Sequence, residues 1–147
     1  MILFLANGRH DDEATLTTYS ESLRACARTI APTGGSIITA RDFHTARFQA
    51  AGGWPGYIAE VVSGRDFNTQ QPHCDAIVLP VRDIGKGNRD IVAGCLAVSK
   101  PVYLLEDGKL ARVARITCVD GRNFQSGWRV TTIDDVNTYA AGGGPGR

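Results

Sequence analysis

Two short apolar runs most constrain how this chain folds. Ile2–Ala6 and Ala76–Val81 are continuous, and neither alternates with polar residues. Runs of this length are typical of strands buried on both faces, as in a parallel sheet covered by helices. Pro80 is expected at the end of the second strand, because proline cannot donate to the hydrogen-bond ladder. The two runs therefore predict the centre of a parallel sheet.

An amphipathic helix follows the first strand. Its apolar residues recur at spacings of three and four, which is the helical period: Leu16, Tyr19, Leu23, Cys26 and Ile30. The helix is expected to end at Pro32 and the glycines after it. Ser36–Ala40 is short and β-branched and predicts a second strand. The chain thus opens with a βαβ unit.

The alternation of helices and strands continues to about residue 105. The pattern predicts, in order, a loop over 41–56, a short helix from Tyr57 to Gly64, a helix over Ile91–Val98 and a buried strand over Val102–Leu105. Beyond Gly108, polar and apolar residues alternate over 112–119 and 128–133. That change indicates an antiparallel hairpin or an edge strand with one face in water.

These elements predict an α/β fold, specifically a Rossmann-like three-layer sandwich with a mostly parallel sheet and a C-terminal antiparallel hairpin or edge strand. The chain has 147 residues, which suits one domain. We expect that domain to cover 1–139. Residues 140–147 read as a flexible glycine-rich tail, because they have nothing to bury.

Charge and composition limit the possible partners. Sixteen Lys and Arg against fifteen Asp and Glu give a net charge of +1. Without an overall positive field, stable nucleic-acid binding is not expected, and a polyanion would need a local patch. No apolar run approaches the ~20 residues of a membrane span, so no membrane partner is expected.

The cysteines are widely spaced, at positions 26, 74, 95 and 118, and form no Cys-x-x-Cys pair. This spacing does not suggest a zinc or redox site, and buried thiols in a protein of the reducing cytoplasm are the simpler interpretation. We therefore predict no metal and no cofactor.

The loop after the first strand is the first candidate site. Ligands of parallel sheets bind at the carboxyl ends of strands, where Gly8 permits close backbone approach and a helix start attracts anions. Arg9 and His10 are more than a turn needs, so Gly8, Arg9 and His10 are candidate substrate-binding residues. The alternative is an ordinary polar turn with an aspartate cap.

The loop after Val81 is the second candidate site. Two carboxylates, Asp83 and Asp90, bracket a flexible basic turn and are the candidate catalytic residues. A carboxylate in the first turn of a helix is stabilised as the anion, and so stays available as a nucleophile or acceptor. The alternative is a helix cap. The turn contributes further candidate substrate-binding residues: Gly85, Lys86, Gly87, Asn88 and Arg89.

The order of these features resembles the nucleoside 2-deoxyribosyltransferase-like superfamily, which also contains nucleotide N-glycoside hydrolases. The resemblance covers residues 1 to about 105. It rests on the segments Leu5–Gly8, Tyr19–Leu23, Cys74–Asp83, Gly85–Gly87, Asp90 and Ser99–Val102.

The resemblance implies cleavage or transfer at an N-glycosidic bond, with a carboxylate at the anomeric carbon of a nucleoside or nucleotide. It implies that Asp83 contacts base or sugar, that Gly8 admits the sugar or its phosphate, and that the protein is a homo-oligomer. The family's nucleophile is usually a Glu, and this chain has Ile91 at that position. Asp90, one residue earlier, is the nearest carboxylate.

Two other interpretations stay open. A catalytically silent Rossmann-like module would bind a nucleotide or nucleotide-derived signal, with Arg9, Lys86 and Arg89 holding phosphate. A TIR-like NAD-cleaving domain would need a Glu, and Glu60 is its candidate.

Overall fold

The apolar runs form the central strands of a sheet in the computed structural model, which describes residues 1–8, 11–66, 69–118 and 128–133. The strands are β1 (Ile2–Leu5), β2 (Ser36–Thr39), β3 (Ala76–Leu79), β4 (Asp83–Ile84), β5 (Val102–Glu106), β6 (Lys109–Cys118) and β7 (Trp128–Ile133). The helices are α1 (Glu13–Cys26), α2 (Ala40–Arg47), α3 (Trp54–Ser63) and α4 (Lys86–Ala97), and a 3-10 turn, Ala27–Thr29, follows α1.

The seven strands are ordered β2-β1-β3-β5-β6-β7-β4. The first four are parallel, and Leu5 on β1 pairs with Thr39 on β2 and Val78 on β3. β6 is antiparallel to both β5 and β7. The protein is therefore α/β with a mixed sheet that is parallel at one end, rather than mostly parallel throughout.

Side chains alternate between the two faces of the parallel strands, because successive residues of a strand point in opposite directions. Leu3 and Leu5 pack in the cluster that contains Leu23 and Cys26 of α1. Phe4 belongs to the opposite cluster, which includes Phe43 of α2, Tyr57 and Val61 of α3, and Ile91 and Val92 of α4. Helices thus cover both faces, which explains why these strands contain no alternating polar residues.

The C-terminal hairpin extends the sheet beyond β5 with antiparallel strands. β6 pairs with β5 through Lys109–Arg112, and its remainder pairs with β7 from Val113 onward. The register shifts at Arg115, and such bulges bend a strand and increase its twist. β7 then pairs with β4, at Asp83–Arg129 and Ile84–Trp128. The expected antiparallel hairpin is present, but the sequence did not predict β4.

The prediction of a loop over 41–56 was wrong, because α2 occupies Ala40–Arg47. Its start is fixed by Thr39, whose hydroxyl accepts the N–H of Asp42 at 3.1 Å. Phe43 is buried from this helix, and one apolar anchor per two turns was too weak a periodic signal to detect. The break at Gly53 is real, since its φ of 86° suits glycine.

The prediction that α4 begins at Ile91 was also wrong, because the helix begins at Lys86 with Gly85 as its N-cap. Glycines in the turn masked the true start. Asp90 consequently lies in the second turn of α4 and not in the first. The positive end of the helix dipole has little effect in that second turn.

Several expectations fall outside the described residues. They concern Arg9, His10 and the tail over 140–147; the side chain of Lys86 is likewise not described. Within the described part of the chain, no helix combines the length and apolarity needed to cross a bilayer.

A buried ion pair joins α2 to α3. Arg47 donates to both carboxylate oxygens of Glu60, at 3.1 Å and 2.7 Å, and its Nη1 lies 2.8 Å from Asp66. The side chain of Glu60 is only 1% exposed. A carboxylate this deep requires a partner, since an unpaired buried charge is costly.

Arg47→Met should lower the free energy of unfolding by about 3–5 kcal/mol, because the buried carboxylate of Glu60 loses the guanidinium that donates to both of its oxygens. Urea unfolding followed by circular dichroism measures the change. Arg28→Met, at an exposed site in the 3-10 turn, is the control and should stay within about 0.5 kcal/mol of the parent. An equal, small effect of both substitutions would contradict the role given to Arg47.

Candidate functional site

The start of α4 lies against the end of β1, and this contact defines the candidate site. Asn88 Nδ2 donates to the carbonyl oxygens of Ala6 at 3.0 Å and Asn7 at 3.3 Å. β1 and β3 are neighbours, so the loops that follow them meet at the carboxyl edge of the parallel strands. The two loops singled out from the sequence are therefore brought together.

Asn7 extends the contact to α2. It is 8% exposed, its Oδ1 accepts the N–H of Arg41 at 3.2 Å, and its Nδ2 donates to Gly8 O at 3.0 Å. The ends of β1 and β2 and the start of α4 are thus tied through two asparagine side chains. Sequence reasoning did not select Asn7, although a polar residue directly after a buried strand was the available signal.

Carboxylates bind two N–H groups among the described residues after β1. Gly8 N–H donates to Asp11 Oδ2 at 2.7 Å, and Asp12 Oδ1 accepts the N–H of Thr15 at 2.8 Å. The hydrogen bonds from Thr15 lower the pKa of Asp12. Carboxylates already occupy this helix start, so the alternative interpretation, an aspartate-capped turn, describes the loop at Gly8 and α1.

The start of α4 differs, because its N-cap is Gly85, which has no side chain to cap the first turn. A Cβ on Gly85 would meet nothing within 4 Å. Gly87, by contrast, is covered: a Cβ there would lie 3.1 Å from Trp54 Cη2. Trp54 in turn stacks on Tyr57, with ring centroids 5.3 Å apart. The stacked rings of Trp54 and Tyr57 thus flank this helix start.

Each candidate carboxylate faces its own arginine. Asp90 Oδ1 accepts from Arg89 Nε at 3.0 Å and Nη2 at 2.5 Å, and the guanidinium of Arg89 lies 5.6 Å from the ring centre of Trp128. Asp83 is exposed, with Oδ1 3.6 Å from Arg129 Nε. The structure therefore places Asp83 on β4 and Asp90 one turn inside α4.

Two surface clefts lie elsewhere. One of about 190 Å³ runs between α1 and the end of β2, beside Ser20 and Thr39. The other, of about 640 Å³, lies between α3 and the start of β3, beside Val62 and Lys100. Neither is lined by a predicted site residue.

Lys100 has a structural role in the Ser99–Val102 segment. Its Nζ donates to Val61 O and Cys74 O, each at 2.8 Å, and so joins the end of α3 to the segment that leads into β3. Burial raises the pKa of Cys74 to about 11 and that of Cys95 to about 12. Such thiols are poor nucleophiles at neutral pH. The expectation of buried thiols is confirmed for Cys26, Cys74 and Cys95.

Among the residues that the structure describes, no group of three His, Cys, Asp or Glu side chains is placed to hold a metal ion. Glu60 is buried and engaged by Arg47, away from solvent.

No protein-family model matches this chain, and no curated protein or solved structure matches it at a significant level.

Asn88→Ala should lower the free energy of unfolding by about 1–2 kcal/mol, because two carbonyl oxygens at the end of β1 lose their donor. Asn88→Asp should cost more, since a carboxylate would face those oxygens. Urea unfolding measures both, with the exposed Gln71→Ala as control. Wild-type stability in Asn88→Asp would refute the link between α4 and β1.

Proposed function

We propose that the protein binds a nucleoside 5′-monophosphate at the carboxyl edge of the parallel strands, with the phosphate at the start of α4. One contrast carries the proposal. Among the described residues, four helices begin at this edge: α1 and α2 are capped by Asp12 and Thr39, whereas α3 and α4 each begin at a bare glycine. In α3, Pro55 removes one N–H of the first turn, so α4 is the glycine-started helix that keeps all its first N–H groups. Uncapped N–H groups and the helix dipole favour an anion at that position.

The strand order supports this location. In the order β2-β1-β3-β5, the chain leaves β1 toward β2 and later returns to β1's other side as β3. That reversal is the point at which Rossmann-like and related sheets bind ligands. We infer a Rossmann-like core, with the ligand between the loop at Gly8 and the turn at Gly85.

Neighbouring residues suit the parts of a nucleotide. Arg89 is the fourth residue of α4, close to the proposed phosphate position, and the predicted roles of Arg9 and Lys86 would add positive charge. Trp54, held by Tyr57 and adjacent to Gly87, offers an aromatic edge near the sugar or base. Asn88 is committed to the carbonyls of β1, so it orients the helix and is not itself the phosphate ligand.

Gly85→Asp should separate binding from stability. The new carboxylate would cap α4, leaving the free energy of unfolding unchanged or raised by about 0.3 kcal/mol. The carboxylate would also occupy the position proposed for the phosphate and repel its negative charge. The affinity for AMP should therefore fall by about tenfold or more. Calorimetric titration with AMP, GMP, CMP and UMP measures binding.

Gly85→Ser is the matched control, since its hydroxyl also caps the helix but adds no charge. It should weaken binding less than Gly85→Asp. If the parent protein binds none of the four monophosphates, the proposed function fails. If it binds one and Gly85→Asp binds equally well, the phosphate does not lie at α4.

N-glycosidic cleavage is the second candidate function. The observation in its favour is Asp90, a partly exposed carboxylate fixed by Arg89 on the helix that would hold the phosphate. In hydrolysis the bond between the anomeric carbon and the base breaks, water adds to that carbon, and the base leaves with a proton. Asp90 or Asp83 would stabilise the positive charge on the sugar.

Release of free base from the bound monophosphate, followed by chromatography, tests this chemistry. Asp90→Asn should lower the rate by at least about 100-fold if Asp90 stabilises the transition state. Asp83→Asn is the parallel variant at the more exposed carboxylate. An intact nucleotide after prolonged incubation with the parent protein would contradict N-glycosidic cleavage and favour a module that only binds the nucleotide.

A further inference from the structure

The segment between β3 and α4 is held from both sides by ion pairs. Arg82 Nε lies 2.7 Å from Glu106 Oε2, and Nη2 lies 2.8 Å from Oε1, which is a bidentate fork. The next residue, Asp83, faces Arg129 in the opposite direction at 3.6 Å. Two residues later, Gly85 begins α4. The position of the helix start thus depends on a segment anchored to β5 and β7.

Glu106 provides a fixed base for the fork. It is the last residue of β5, the strand that pairs with β3 through Leu79 and Leu104. The tight turn at Asp107 and Gly108, with φ values of 55° and 69°, leads directly into β6. Such turns match the twist of antiparallel strands, so the carboxylate projects from a rigid hairpin.

Arg82 is held through its backbone as well. Its carbonyl oxygen accepts the N–H of Val130 at 3.0 Å. Side chain and main chain of Arg82 therefore bind different strands, β5 and β7. A fork with two parallel hydrogen bonds fixes orientation as well as distance.

The fork is suited to positioning rather than to overall stability. The side chains of Arg82 and Glu106 are 31% and 40% exposed, and ion pairs so accessible to water contribute little to global folding. The hydrogen bond from Arg82 lowers the pKa of Glu106, so the fork persists throughout the neutral range.

We propose that Glu106 is a positioning residue for the nucleotide site: through Arg82 it holds β4 and the start of α4 in the geometry that receives the phosphate. The ligand part of this inference rests on the proposed function. The positioning part concerns the backbone over 82–88 and stands separately. The predicted strand ended at Leu105 and left Glu106 outside it, but Glu106 is the last residue of β5, and that position gives it this role.

Glu106→Gln tests both parts in the full chain. Amide hydrogen exchange over 83–88, read at the β4 amides that pair with β7, should accelerate by about tenfold, since the segment opens locally once the charged fork is lost. The affinity for the monophosphate that the parent binds should fall by about tenfold. The thermal midpoint should change by less than about 3 °C. Glu21→Gln, on the exposed face of α1, is the control and should change none of these.

A charge exchange distinguishes positioning from a general structural effect. Arg82→Glu and Glu106→Arg each place like charges together and should accelerate exchange over 83–88. The double variant rebuilds an ion pair of opposite polarity, so it should recover most of the protection and of the affinity. Recovery in the double variant supports the proposal, and its absence counts against it.

The outcomes separate this inference from the proposed function. If the parent binds no monophosphate but Glu106→Gln accelerates exchange over 83–88, the proposed function fails and the positioning role stands. If exchange over 83–88 in Glu106→Gln equals that of the parent, the positioning role is wrong whatever the protein binds. If exchange rises but affinity is unchanged, Glu106 does not position the ligand site.

Discussion

The amide of Asn88 connects the two halves of the candidate site. One side-chain nitrogen donates to the last carbonyl oxygens of the β1 segment, and in doing so it sets how closely α4 approaches the central strand. The contact holds α4, the helix that begins after Gly85, carries Asp90 and packs against Trp54 at Gly87. A partly buried amide is costly to leave unpaired, so its hydrogen bonds favour a single arrangement.

The strands were the most predictable part of the fold, for a physical reason. A strand covered by helices on both faces must be apolar throughout, so β1, β3 and β5 are readable as runs. α2 was missed because Phe43 is the one fully buried residue among those of the helix whose burial the structure describes, and a short helix with one anchor has no period. β4 was missed because two residues carry no pattern at all, and its existence depends on partners 44 and 46 positions later.

The candidate site was predictable in its location and not in its internal contacts. Parallel strands bring the loops after β1 and β3 to one edge, so the polar residues there were expected to meet. Which of them bind each other is a matter of distance. Asp11 and Asp12 use their carboxylates on their own loop, Asp90 binds its neighbour Arg89, and Glu106 reaches back to Arg82. The sequence offered the aspartate cap as an alternative. The spacing and composition of the chain do not indicate the partners of Asp90 and Glu106.

β6 pairs with both β5 and β7, so it links the parallel strands to the strand that holds β4. The family resemblance stops near residue 105, and every predicted site residue lies before that point. Yet β4, which leads into α4, pairs among the described residues with β7 alone, and β7 is reached only through β6. A version of the chain shortened before Trp128 would keep every predicted site residue and lose the strand with which β4 pairs. The minimal unit for any activity at this edge is therefore longer than the segment whose sequence suggests it.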